Sequence, residues 1–232
     1  MKRKRDREDS TAVKVVKAVV TVLFILTLLF VPAGTLHWPE AWILLLFYFA
    51  AVSGVMVWMK TKAPGLLKER MSRNKEIKSL DKIIMTAYSF LLIILLAVPG
   101  LDAVRFGWSE VPLAVKVLGF IGYIPALVFA FWAMRENAYA SDVVRIQEDR
   151  GHTVCTTGPY RFVRHPMYVG VILFVLCFPL SLGSLYSFIP AFLIVVLFII
   201  RTSFEDKTLS EELPGYKEYA QTVRYRLFPG VW

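Results

Sequence analysis

Two polar segments near the end of the chain, residues 145–168 and 201–232, hold the residue types that could bind and orient a ligand. In the first, His165 precedes Pro166; a residue before proline favours extended backbone, and proline suits the first turn of a helix. The free backbone N–H groups of that helix start could bind an anionic group. Two arginines among the four preceding residues add positive charge. This segment is predicted to form a capped, anion-binding helix start.

The second segment begins with charged residues at helical spacing. Arg201 and Glu205 are four apart and share a helix face, so they could act on a ligand or form an ordinary ion pair. Asp206 follows directly, and Pro214 predicts the end of the helix. The aromatic residues beyond it favour a tail that lies along a membrane interface. These aromatic residues are Tyr216, Tyr219, Tyr225 and Trp232.

The elements that must position these segments are apolar helices. The 232-residue chain is 56% hydrophobic, and long runs carry the excess, which is typical of a membrane protein. None of these runs contains Asp, Glu, Lys or Arg. They cover residues 18–31, 41–59, 83–99, 117–134, 167–182 and 185–200. We therefore predict an all-α, polytopic membrane bundle of about six spans.

The basic residues predict how the bundle is oriented. Of the 27 lysine and arginine residues, all but Arg105 and Lys116 fall on one side of this layout. By the positive-inside rule that side is cytoplasmic, and both termini lie there. The last two runs, separated only by Gly183-Ser184, predict a tight hairpin, and the sixth helix is expected to continue over 201–213. The two polar segments then meet at the cytoplasmic face.

Composition and missing motifs exclude several classes. The net charge is +9, and the basic residues flank the apolar runs. This placement is typical of residues that set membrane topology and contact anionic lipid, and it does not favour nucleic-acid binding. The two cysteines, Cys155 and Cys177, fall on the cytoplasmic side and inside a span, so no disulfide is predicted. No GxGxxG, GxxxxGK[ST], HExxH or CxxC motif occurs, and no metal site is predicted. The charge-free spans weaken a transporter or channel interpretation.

The motif Gly-x-Tyr-x-x-x-Arg-His-Pro-x-Tyr over 158–168, followed one hairpin later by an acidic pair, resembles the isoprenylcysteine carboxyl methyltransferases and the broader phospholipid methyltransferase group. The resemblance covers 145–229. It implies a helical membrane bundle that binds S-adenosylmethionine without a Rossmann domain. It divides the chain into N-terminal spans with a basic loop, 1–134, and a methyltransferase-like core, 135–232.

The same resemblance implies roles for individual residues. Glu205 corresponds to the family's cofactor-binding carboxylate and Arg201 to its substrate-side arginine; these are the predicted catalytic residues. The family often has Glu-Glu where this chain has Glu205-Asp206. Arg145 or Gln147 could supply a further cofactor contact. The remaining predicted cofactor residues are His152, Thr153, Val154, Cys155, Gly158, Tyr160, His165, Pro166, Met167 and Tyr168.

The predicted activity is methyl transfer at the cytoplasmic face of a membrane. This in-line displacement depends on positioning and water exclusion more than on acid–base groups. The expected acceptor is lipophilic or lipidated and reaches the site from the bilayer, for example an isoprenylcysteine-type carboxylate. Two alternatives remain open: an NADPH-dependent membrane reductase of the sterol-reductase type, and a non-enzymatic membrane scaffold or transporter.

Overall fold

The computed structural model describes residues 11–72 and 77–232, and it is helical throughout its regular structure. The basic residues within 1–10 and 73–76, on which the orientation prediction partly depends, lie outside the described residues. The α-helices, numbered in chain order, are α1 Thr11–Ala33, α2 Pro39–Lys62, α3 Pro64–Met71, α4 Ser79–Pro99, α5 Leu113–Glu136, α6 Pro166–Leu182, α7 Phe188–Glu212 and α8 Tyr216–Thr222.

Five of these helices are long and apolar enough to cross a membrane. They are α1, α2, α4 with its extension to Phe106, α5 and α7. The sixth apolar helix, α6, has 17 residues and is largely buried among the others. The prediction of an all-α polytopic membrane bundle is confirmed. Each apolar helix overlaps one predicted run, and most extend several residues past its ends.

Close packing of α5 against α6 builds the centre of the bundle. A Cβ atom added to Gly119 would come within 2.5 Å of the Ser181 backbone nitrogen, and one added to Gly170 within 2.6 Å of the Ala126 carbonyl oxygen. Small residues let helix backbones approach closely in membranes, where dispersion rather than the hydrophobic effect drives helix association. The hydroxyl groups of Tyr123 and Ser181 are 2.7 Å apart across the same interface.

The turn between α6 and α7 is longer than predicted. It spans residues 183–187 rather than the two residues 183–184, because Ser187 precedes the first turn of α7. Gly183 adopts a left-handed φ of 72°, and the backbone nitrogen of Ser184 donates to the Pro179 carbonyl oxygen at 2.9 Å. This is a Schellman end, in which the left-handed position is usually glycine.

Helix α7 carries the second polar segment beyond the apolar part of the bundle. It runs without a break to Glu212, which confirms that the last apolar run continues as a helix through residues 201–212. It packs against both α6 and α4, and α4 in turn packs against α1. The N-terminal helices therefore reach the element that holds Arg201, Glu205 and Asp206. The division of the chain at residue 134 stays a prediction.

Candidate active site

The loop between α5 and α6, residues 137–165, is hereafter the cradle loop. Its own side chains fix its course. The Asn137 side chain accepts from the Tyr139 backbone nitrogen at 2.8 Å and donates to the Tyr160 hydroxyl at 3.2 Å. The Gln147 side chain donates to the Tyr139 carbonyl oxygen at 2.7 Å. The Tyr139 hydroxyl donates to the Gly151 carbonyl oxygen at 2.8 Å. These bonds give an otherwise irregular segment a defined shape.

His152 is held as a neutral ring on this loop. Its ring lies 4.5 Å from that of Tyr139, and its Nδ1 atom accepts from the Gln147 backbone nitrogen at 3.3 Å. Burial, with the positive charges of Arg150 and Arg145, lowers the pKa of His152 from 6.5 to about 4. Because Nδ1 is the acceptor, the ring proton belongs on Nε2. His152 is therefore a neutral hydrogen-bond donor at neutral pH.

Tyr168, Glu205 and His165 meet where α6 begins and α7 passes. The Tyr168 hydroxyl donates to the Glu205 carboxylate, and Glu205 keeps about a quarter of its side chain exposed. The His165 ring stacks on the Tyr168 ring at 5.7 Å, and its Nδ1 lies 3.9 Å from Glu205. The sequence placed these residues at one membrane face, and the structure brings their side chains together.

Asp206, the neighbour of Glu205, binds a different set of partners. Arg164 donates to both of its oxygens, at 2.7 and 3.0 Å, and Arg226 donates at 2.9 Å. The Tyr216 hydroxyl donates at 2.9 Å, and the His165 Nε2 lies at 3.4 Å. The Asp206 carboxylate is only 8% exposed. The shorter acid at this position holds a dense, charge-assisted network.

The C-terminal tail, residues 213–232, closes over the cradle loop. The backbone nitrogens of Arg164 and His165 donate to the carbonyl oxygens of Tyr225 and Arg226 at 3.0 and 2.9 Å. The Tyr219 hydroxyl donates to the Tyr160 carbonyl oxygen at 2.7 Å.

Two tail tyrosines correct the prediction of an interfacial aromatic tail. Tyr216 and Tyr219 are 4% and 8% exposed, because their hydroxyl groups find acceptors inside the protein, whereas Tyr225 is 39% exposed. Burial raises the pKa of both buried tyrosines well above the usual value, so they remain neutral donors.

Arg201 pairs with a residue far away in the sequence. Its guanidinium donates to the Asp81 carboxylate at 2.8 Å and to the Asp142 carbonyl oxygen at 2.8 Å. Its guanidinium carbon lies 5.4 Å from the centre of the Tyr168 ring. Arg201 thus forms its ion pair with Asp81 and not with Glu205, the partner that helical spacing suggested. Its predicted role toward an acceptor stays a prediction.

A partly open cavity of about 70 Å³ lies between the cradle loop, α6, α7 and the tail. Ligand pockets commonly hold roughly 300–1,000 Å³, so a larger ligand requires these walls to part. The predicted residues that line the cavity are Arg145, His152, Thr153, Val154, Cys155, Tyr160, His165, Met167, Tyr168 and Glu205.

Four of the predicted residues do not line the cavity themselves. Gln147 is 1% exposed and supports the cradle loop. Gly158 makes a turn with a φ of 56°, and Pro166 starts α6. Arg201 lies against the face of the Tyr168 ring. Among the described residues, no group of three or more His, Cys, Asp or Glu side chains is placed to hold a metal ion.

Several lining residues were not predicted as site residues. Tyr139 and Asn137 precede the motif, and nothing in their spacing distinguishes them from loop residues. Tyr216 and Tyr219 follow a helix end, where hydroxyl-bearing rings near charged residues were the only available signal. The further unpredicted lining residues are Ala140, Ser141, Val143, Val144, Arg164, Thr208, Leu209 and Leu213.

The fold is that of an integral membrane protein, and the cavity lies at one end of its helical bundle. Residues 114–214 match the family model described as phospholipid methyltransferase. The match runs from α5 through the cradle loop and the hairpin to the end of α7, which confirms the family resemblance. It starts earlier than the predicted range and ends at residue 214, at the start of the tail segment. A comparison with curated proteins gives no significant match. The match to this family supports the interpretation of the protein as a membrane methyltransferase.

Proposed function

We propose that this protein transfers a methyl group from S-adenosylmethionine to a lipophilic acceptor that reaches the cavity from the bilayer. The observation that carries the proposal is the state of Glu205. This carboxylate lines the cavity of a methyltransferase-family segment and accepts from one neutral donor, the Tyr168 hydroxyl. Among the described residues no guanidinium pairs with Glu205, so the carboxylate retains acceptor positions for a cationic or hydroxyl-bearing ligand.

The donor set around the cavity suits this cofactor. Glu205 could accept from its ammonium group or ribose hydroxyls, and the neutral His152 could donate to its carboxylate. Backbone nitrogens at the start of α6, after His165, could add to that donation. The cofactor supplies an electrophilic methyl group on a sulfonium sulfur.

The residues of the chain would position the reaction and exclude water from it. The bound cofactor would supply the methyl group to the acceptor by displacement, and the electrons of its carbon–sulfur bond would stay on sulfur. Such a displacement depends on alignment of the reacting atoms in a dry site. The cradle loop, Tyr168 and the tail tyrosines form walls suited to that task. An acceptor that carries a proton releases it to water.

The charges around the cavity bear on which acceptor it takes. Arg145 pairs with Glu69 at 2.9 Å, Arg164 with Asp206 and Arg201 with Asp81. An anionic acceptor, such as an isoprenylcysteine-type carboxylate, would therefore share a guanidinium that already has a carboxylate partner. A carboxylate, a thiol, an amine and a phospholipid headgroup accordingly all belong in the acceptor panel. We further propose that the cavity faces the cytoplasm, since the basic residues favour that side.

The test is ligand binding by the full-length protein in lipid nanodiscs. Isothermal titration with S-adenosylmethionine and with S-adenosylhomocysteine should give saturable binding at one site. NADPH in the same titration should give none and should not displace S-adenosylhomocysteine. Saturable NADPH binding without binding of either methionine derivative would support a reductase instead, and absence of all three would overturn both enzymatic interpretations.

The acceptor requires a separate measurement. The protein is incubated with methyl-labelled S-adenosylmethionine and the acceptor panel in nanodiscs, and the label is followed into the organic phase. We expect label in a lipophilic product from wild-type protein. The matched control is Glu205→Gln, for which we expect little or none. Equal labelling by both proteins would contradict the assigned role of Glu205.

A further inference from the structure

We propose that Asp81, in the first turn of α4, is a positioning residue that joins two walls of the cavity, so that the N-terminal half completes the site. The inference rests on the proposed function. Asp81 is fully buried. One of its oxygens accepts from Arg201 at 2.8 Å, and the other accepts from the Val144 backbone nitrogen at 2.9 Å. A single carboxylate thus binds both α7 and the cradle loop.

The contact with Arg201 leads directly to the cavity. The Arg201 guanidinium lies over the Tyr168 ring, and the Tyr168 hydroxyl donates to Glu205. A cation over a ring face is attracted by the ring's quadrupole, most strongly where water is excluded. Asp81 therefore fixes the guanidinium, the guanidinium fixes the ring, and the ring orients the carboxylate proposed to hold the cofactor.

The contact with Val144 leads to the opposite wall. Val144 lines the cavity, and the adjacent Arg145 is held by a second buried carboxylate of the N-terminal half, Glu69 of α3. Arg145 donates to both Glu69 oxygens, at 3.1 and 2.9 Å, and the Ser141 hydroxyl donates to Glu69 at 3.2 Å. Two carboxylates from outside the family-matched segment 114–214 thus hold the middle of the cradle loop.

Because Asp81 is buried, its loss is expected to change the position of Arg201. Removal of one partner of a buried ion pair leaves the other charge without compensation, so it seeks a new partner and moves. Arg201 would then keep its bond to the Asp142 carbonyl oxygen at 2.8 Å and shift about it as its other donors turn to new acceptors. Such a shift takes the guanidinium away from Tyr168 and changes the position of Glu205.

The test is a double-mutant cycle on S-adenosylhomocysteine binding, measured by titration in nanodiscs. The variants are Asp81→Asn, Glu205→Gln and the two combined. The two partners of Asp81 use different oxygens, and the amide nitrogen that replaces one of them cannot accept, so we expect at least tenfold weaker binding. Because the Arg201 contact of Asp81 acts through Glu205, the combined loss of affinity should be smaller than the product of the two single losses. If the loss of affinity in the combined variant equals the product of the two single losses, Asp81 has a general structural role and the proposal is overturned.

Two further variants make the result decisive. Glu40→Gln breaks another partly buried interhelical ion pair, with Lys116 at 2.8 Å, away from the cavity lining, and should bind within twofold of wild type. If Asp81→Asn does not fold, Asp81→Asn with Arg201→Gln removes the uncompensated charge and should still bind at least tenfold more weakly. Wild-type affinity in that variant would overturn the proposal. Failure of the wild-type protein to bind would instead contradict the proposed function.

Discussion

Glu205 and Asp206 are neighbours on α7, yet they belong to two different regions of the molecule. Asp206 faces the tail and accepts from Arg164, Arg226 and Tyr216. Glu205 faces the cavity and accepts from Tyr168. A carboxylate surrounded by guanidinium groups stabilises the fold and has little capacity for a ligand. The comparison indicates that Asp206 holds the tail, whereas Glu205 keeps acceptor positions for the proposed ligand.

The largest effect should come from Asp206. We expect Asp206→Asn to lower the free energy of unfolding by about 3–5 kcal/mol, because two guanidinium groups lose a buried carboxylate. Thermal or denaturant unfolding in detergent micelles measures this loss. Glu211→Gln, at an exposed position on the same helix, is the control and should change little. Equal stability of the two variants would end the distinction between the two acids.

Glu205 should show the opposite pattern. We expect Glu205→Gln to weaken S-adenosylhomocysteine binding at least tenfold, or about 1.4 kcal/mol, while the unfolding temperature stays close to wild type. The reason is that the hydrogen bond to Glu205 among the described residues comes from a tyrosine hydroxyl, which an amide oxygen can still engage. Titration and thermal unfolding on the same preparation test both halves. A loss of stability comparable to that of Asp206→Asn would contradict the comparison.

The pH dependence of stability sharpens the comparison on the cavity side. His152 has a folded-state pKa of about 4, below its ordinary value of 6.5. Between these values the unfolded chain binds more protons, so the free energy of unfolding falls as the pH drops through this window. We expect a loss of roughly 1–2 kcal/mol between pH 7 and pH 5. His152→Gln should lack this component when unfolding is followed at both pH values.

The smallest effect concerns one donor to Asp206. Tyr216→Phe keeps the buried ring and removes a hydrogen bond of 2.9 Å, so we expect a loss of about 1 kcal/mol in unfolding free energy. Tyr225→Phe, at a 39% exposed position of the same tail, should have almost no effect. If the two variants are equally stable, Tyr216 is not part of the network around Asp206.

The sequence predicted the elements better than the partners of individual side chains. Long apolar runs located the helices, because a membrane leaves a helix of about 20 apolar residues as the simplest solution. The continuation of the last helix past Arg201 was also predicted, since its charged residues keep helical spacing. The meeting of His165, Tyr168 and Glu205 followed from the hairpin.

The remaining features depend on contacts that no local pattern encodes. Asp81 and Arg201 are 120 residues apart, and nothing near either residue indicates the other. The burial of Tyr216 depends on Asp206 lying opposite it, which only the assembled tail provides. The five-residue turn at 183–187 depends on how α6 ends at Gly183. In each case tertiary packing selects among conformations that the local sequence allows equally well.

The most direct test of the central claim is an experimental structure of the protein with S-adenosylhomocysteine in nanodiscs. The account predicts the ligand between the cradle loop and α7, with a hydrogen bond from its ammonium or ribose group to Glu205. It predicts that Asp206 keeps Arg164 and Arg226 as its partners. A ligand bound elsewhere, or one that contacts Asp206 while Glu205 remains apart from it, would contradict the account.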